Sequence, residues 1–182
     1  MEKNPWQTLN TQIKYSNPWI EVDEHQVINP SGKQGIYGIV KFVHYAIAII
    51  PLDQQYNTWL VGQWRYPLNS YSWEVPEGGG KKSTTPLESA QRELSEETGL
   101  TANTWTMVQK LFLSNSATDE EAYVFIAQDL TEGIPEPEET EVLQIKKLPF
   151  EEVYQMVLRN EITDALSVTA ILRTKIFIDS GK

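Results

Sequence analysis

The chain has 182 residues, of which 40% are hydrophobic and 22% charged, with a formal net charge of −10 and no cysteine. That length suits one domain with a sizeable core and is too short for two complete ones. The acidic balance argues against a nucleic-acid backbone as the main partner, and without cysteine there are no disulfides, zinc–thiolate sites or thiol nucleophiles.

Met1 to Asn10 is polar and lacks the apolar core of a signal peptide. No stretch approaches the roughly 20 apolar residues that span a bilayer, so the expected placement is cytoplasmic, with no membrane partner. Residues 18–29 alternate loosely and read as a strand pair turning near Asp23-Glu24, before a turn at Pro30-Ser31-Gly32. A β-branched and aromatic run follows from Gly35 to Ile50, ended by Pro51. Its near-continuous apolarity from Tyr45 to Ile50 predicts a strand buried on both faces. A polar turn at Asp53-Gln54-Gln55 separates it from a strand at Thr58–Trp64.

Gly78-Gly79-Gly80 reads as a glycine loop leading to a helix over 86–98. Thr85-Pro86-Leu87-Glu88 fits a capping box with proline at the first helical position, and Gly99 is placed as a left-handed stop. Leu87, Ala90 and Leu94 form the predicted core-facing stripe. Strands follow at about 105–114 and 121–127. Thr131–Glu141, with two prolines and five glutamates, reads as a loop. A strand near 142–147 then leads into amphipathic helices near 150–160 and 164–177. Mixed strands, an early helix and terminal helices predict an α/β or α+β sandwich, with no internal repeat and no linker.

Chemistry concentrates on the early helix. At about 100° per residue, Glu93, Glu96 and Glu97 share one side of it, within roughly 100° of arc. Like charges so placed repel, and they are tolerated when water solvates them or when a cation neutralises them. The first case is an ordinary solvated face with Arg92 paired to Glu96. The second is an oxygen-ligand site for magnesium, which favours carboxylates together with substrate phosphates. The preceding glycines favour the second, because a backbone without Cβ can approach an anion closely.

Gly78, Arg92, Glu93, Leu94, Glu96, Glu97, Gly99 and Leu100 stand at the spacing of the Nudix box, and the segment resembles that family. Thr84 occupies the position of the first glutamate of the pattern, where it can serve the join from loop to helix. Gln63-Trp64-Arg65-Tyr66-Pro67, Ser72-Trp73-Glu74-Val75-Pro76-Glu77-Gly78, the early Asn17-Pro18-Trp19-Ile20 and the late Ile162-Thr163-Asp164-Ala165 resemble the branch that hydrolyses ADP-ribose and nucleoside diphosphate sugars. The resemblance implies a Nudix α/β/α sandwich with a mixed sheet over residues 41–182. It also implies N-terminal antiparallel strands over residues 1–40 that reach a partner subunit in a homodimer.

It further implies site residues. Glu93 and Glu97 would be metal ligands, with Glu96 a ligand or close neighbour and the backbone carbonyl of Glu77 a further metal oxygen. Magnesium is the implied cofactor, with manganese a possible substitute. Arg65 would hold a substrate phosphate and Gly78 would line the substrate, while Glu74 would either contact the substrate or make a structural hydrogen bond. Apart from the resemblance, Trp6, Trp19, Trp64, Tyr37 and Tyr66 are aromatic candidates for stacking a nucleobase, with Trp19 and Tyr37 foremost. Glu139 in the acidic loop is the leading candidate base, with Glu138 its alternative and Glu141 a possible further ligand. Leu113-Ser114-Asn115-Ser116-Ala117 stands where the ADP-ribose group carries a Ser-Pro-Gly segment, which keeps ADP-glucose and GDP-mannose open as substrates. Hydrolysis of dinucleoside polyphosphates or nucleoside triphosphates, and non-hydrolysing sensing, are the alternatives. His25 and His44 show no triad or metal spacing, and Ser167 has no nucleophile context.

Overall fold

The structure, a computed structural model, describes residues 3–136 and 142–181. The chain divides into two compact units. One takes the chain up to His44 together with Phe112–Glu120, and the other takes Tyr45–Leu111 and the chain from Glu121 onward. No helix among the described residues is long and apolar enough to cross a membrane.

The first unit is built on β1 (Gln7–Ser16), β2 (Ile20–Ile28) and β3 (Gln34–Phe42), antiparallel in that order. The expected turn at Asp23-Glu24 does not form. Asp23 sits mid-strand, opposite both Ile13 and Ile39, and its buried carboxylate pairs with Lys41. The turn falls earlier, where the Asn17 side chain accepts the N–H groups of Trp19 and Ile20 at 2.8 Å each. That side chain offers the backbone a local partner in place of a ladder bond. β1 falls among the N-terminal strands that the resemblance implies, but all ten of its residues are exposed, so no hydrophobic pattern of its own marks it. The long apolar run also breaks at Val43, where Phe42 N–H turns to the Asp119 carboxylate (2.8 Å) and Val43 N–H to the Trp19 carbonyl.

In the second unit, β4 (His44–Pro51) lies parallel to β9 (Glu121–Thr131) inside the order β7-β4-β9-β8, with β7 at Glu77–Lys81 and β8 at Thr101–Phe112. β5 (Asn57–Arg65) pairs antiparallel with β6 (Ser70–Glu74) on one side and β10 (Gln144–Pro149) on the other. As the apolar run requires, Ile47 to Ile50 are fully buried. Alternation along the strands decides the layers. Ile47, Ile49, Phe125 and Ala127 pack with Ala90 and Leu94 of α1 (Pro86–Thr98). Ala48, Ile50, Val124 and Ile126 fill the opposite face, where α3 (Ala165–Asp179) lies against β9 and α2 (Phe150–Leu158) against α3. The result is an α/β/α sandwich with parallel and antiparallel pairing.

Two expectations change here. Gly78-Gly79-Gly80 is not a loop but the middle of β7, and the turn into α1 is made by residues 82–85. Leu87 is 37% exposed and leaves the core stripe. The buried face of α1 is instead Ser89, Ala90, Glu93, Leu94, Glu97 and Thr98. Two of the three clustered carboxylates therefore share the helix's inner face with its apolar residues.

Candidate active site

α1 is held at both ends by short-range chemistry. Thr85 Oγ1 accepts the Glu88 N–H at 3.2 Å, and the Glu88 carboxylate accepts the Thr85 N–H at 2.8 Å, which completes the capping box. Thr84 Oγ1 donates to the Lys81 carbonyl at 2.9 Å and meets Ser89 Oγ at 3.0 Å, tying the turn to the helix start. At the other end Gly99 adopts φ 71°, and its N–H donates to the Ser95 carbonyl at 2.9 Å.

Between these ends lies the charged cluster. Glu93 is 8% exposed and Glu97 2%. The Glu93 carboxylate fills the space that a side chain on Gly78 would need, so the glycine serves close approach and not a turn. Arg92 donates to the carboxylates of Glu93 and Glu96 and to the Gly79 carbonyl. Partial burial opposes the charge on Arg92, but Glu93 and Glu96 outweigh it and raise the guanidinium's pKa. Glu97 Oε2 accepts the Glu77 N–H at 2.9 Å. In this arrangement no three acidic or histidine side chains among the described residues are spaced to enclose a metal ion. Arg92 supplies the positive charge there.

A second charged cluster gathers behind the first. Arg65, at the end of β5, reaches both oxygens of Glu74 through Nε at 3.0 Å each, and Glu77 Oε1 at 2.9 Å. Glu74 is 2% exposed. Arg65 and Glu74, expected at the substrate, thus first hold each other. Glu77 Oε2 lies 3.3 Å from Ser167 Oγ, which also accepts the Val75 N–H at 3.1 Å. Asp164 caps α3 by accepting the Ser167 N–H at 2.7 Å. Burial, then the charges of Asp164 and Glu74, push the Glu77 carboxyl well above the usual range, against the pull of Arg65. Arg65, Leu68, Ser72, Glu74, Thr163 and Asp164 are among the residues lining a cavity of about 260 Å³.

Sequence reasoning missed the Glu77 side chain, Asp164 and Ser167 as parts of this cluster. The cap at Asp164 was legible, but the meeting of Ser167 with Val75, 92 positions earlier, left no sequence signal.

Trp19 and Tyr37 belong to the first unit. Trp19 is 67% exposed. Tyr37 donates to the Ser116 carbonyl at 2.6 Å and stands edge-on to Trp6, with ring centres 5.2 Å apart. Both Trp6 and Tyr37 line a cavity of about 230 Å³ with His25 and Asn4.

Glu138, Glu139 and Glu141 lie outside the described residues. The segment that leads to them is tied to α1. The Glu136 N–H donates to the Glu96 carbonyl at 2.9 Å, and a Cβ on Gly99 would come within 2.7 Å of the Gly133 carbonyl oxygen.

Comparison with known proteins bears on this geometry. A family model described as the NUDIX domain matches residues 43–168, and one described as a nucleoside diphosphate sugar hydrolase N-terminal domain matches residues 6–40. An ADP-ribose pyrophosphatase of Bacillus subtilis is 31% identical over 166 residues, covering 90% of this chain and 89% of the relative. Another, of Mycobacterium tuberculosis, is 30% identical over 176 residues, covering 94% of this chain and 84% of the relative. The crystal structure of an ADP compounds hydrolase superposes with a TM-score of 0.88 over 100% of this chain and 98% of that chain. At 21% identity, that likeness speaks to the fold alone.

Proposed function

Since the chain belongs to the Nudix family, we propose that it hydrolyses the pyrophosphate bond of a nucleoside diphosphate sugar, ADP-ribose first among them. The products are a nucleoside monophosphate and a sugar phosphate. The observation that carries this reading is the pair of buried carboxylates, Glu93 and Glu97, one turn apart on a doubly capped helix. The names of the two pyrophosphatase relatives and the match of residues 6–40 support the substrate class.

Glu93, Glu96 and Glu97 offer only hard oxygen donors, a set that suits magnesium, with manganese as substitute. Arg92 already marks the place as one that demands positive charge. These three glutamates, with the Glu77 carbonyl and Glu141, are assigned as the residues that hold the metal. When bound, it supplies charge neutralisation for the diphosphate and activation of water.

The chain's own groups do the rest. The Glu77 amide donates to Glu97 Oε2 and helps to orient it. Gly78 admits the Glu93 carboxylate against the backbone. Glu139, with Glu138 as its alternative, takes the proton from the attacking water, and the tie between Glu136 and Glu96 brings the chain leading to it to the end of α1. Arg65 clamps Glu74 and Glu77 and contributes a guanidinium to the cavity lining, where a substrate phosphate is its expected contact. Trp19 and Tyr37 are assigned to the nucleobase, which an aromatic face holds with little base selection. The antiparallel N-terminal strands are assigned to a homodimer contact.

The test is monophosphate release from ADP-ribose, ADP-glucose and GDP-mannose in the presence of magnesium. Release of AMP from ADP-ribose is expected. Binding of ADP-ribose without any AMP release, with magnesium or with manganese, would replace this reading by a sensing one.

A further inference from the structure

The buried hydroxyl of Ser167 links α3 to the site on α1, and we infer that Ser167 is a positioning residue for Glu77 and, through it, for Glu97. The inference rests on the metal reading proposed above. Ser167 is 0% exposed, and its N–H is already taken by the cap at Asp164. Its Oγ accepts the Val75 N–H at 3.1 Å and donates to Glu77 Oε2 at 3.3 Å. One atom thus grips both ends of Val75-Pro76-Glu77.

Proline has no N–H, so this tripeptide has two amide donors. One goes to Ser167 and the other to Glu97 Oε2, while the Pro76 carbonyl accepts the Ile49 N–H at 2.9 Å. The segment is therefore a strut between helices on opposite faces of the β4/β9 layer. A hydroxyl suits the task because it accepts from an amide and donates to a carboxylate at once. Alanine would leave a buried amide without its acceptor and Glu77 Oε2 without the Ser167 hydroxyl. The strut would then shift, and the oxygen of Glu97 with it.

Manganese binding, read from the electron paramagnetic resonance of the free ion, tests this. Ser167→Ala and Ser167→Cys should each raise the manganese dissociation constant about tenfold, the scale on which partners of metal ligands act. Turnover in monophosphate release should fall while KM stays within about twofold, because the residue touches no substrate. Cysteine keeps the volume but bonds weakly, so it carries the test if the alanine variant does not fold. Ile171→Val, in the buried core of the same helix, should lower Tm and leave manganese affinity unchanged. Folded Ser167 variants that bind manganese like the wild type, or an Ile171→Val protein weakened just as much, would overturn the strut. A wild-type protein that takes up no manganese would overturn the metal reading itself, and the positioning role with it.

Discussion

Two arginines in this protein each hold a pair of carboxylates, yet the clusters they make are different objects. Arg92 meets Glu93 and Glu96, one and four positions away on the same helix, and Glu96 keeps a third of its side chain in water. Arg65 meets Glu74 and Glu77, nine and twelve positions away, on β6 and β7. Glu74 is nearly dry, and Ser167 and Asp164 of the α3 start close the group from behind. The helical cluster is local and wet at its rim. The strand cluster is assembled by the fold and holds the fold in return.

The difference is sharpest in stability. Arg65→Ala strands a buried Glu74 carboxylate and should cost about 3–5 kcal/mol in urea unfolding. Arg92→Ala removes an arginine that is itself 42% exposed, so water can take its place beside Glu93 and Glu96, and it should cost less, about 1 kcal/mol. Equal costs would erase the distinction.

Catalysis should reverse the ranking. Glu97→Gln keeps an oxygen for the Glu77 amide, so the protein should stay folded while turnover falls by about 100-fold or more. Near-normal turnover in a monophosphate assay would remove Glu97 from the metal set.

A smaller effect probes the end of α1. Gly99→Ala forces a side chain into φ 71° and against the Gly133 carbonyl, at a cost of about 2 kcal/mol by thermal unfolding. Gly133→Ala meets the Gly99 carbonyl at 2.7 Å without the adverse φ, and should cost less.

The smallest effect concerns acid. Burial would raise the Asp53 carboxyl, but the Asn57 side chain and amide, Lys147 and the Gln55 amide outweigh it and hold it at about 2. A depressed folded value adds stability that is complete above the unfolded value of 3.8 and is lost as pH falls toward about 2. Asp53→Asn should flatten the stability curve across that window and lower its plateau near neutrality, where the carboxylate's contribution is complete. A slope that survives the substitution would assign it to other carboxylates.

The reach of the sequence follows from how local each feature is. The boundaries of α1, its capping box, its glycine stop and the buried run at Ile47–Ile50 all rest on neighbours a few residues apart, and the chain states those directly. Leu87 misled because periodicity defines an apolar stripe but not which side of it the sheet will cover. The bounds of β1 were not legible from its residues because an exposed strand needs no hydrophobic pattern, only a partner edge.

What the amino-acid order determined alone was the helix that carries Glu93, Glu96 and Glu97, because capping and helical periodicity act within one or two turns. What tertiary structure decided was which of those carboxylates is buried, that the three glycines run as a strand, and that a serine on the last helix reaches the tripeptide before them. Those outcomes depend on strand register and on which face of a helix meets the sheet, and such long-range choices are made only when the layers pack.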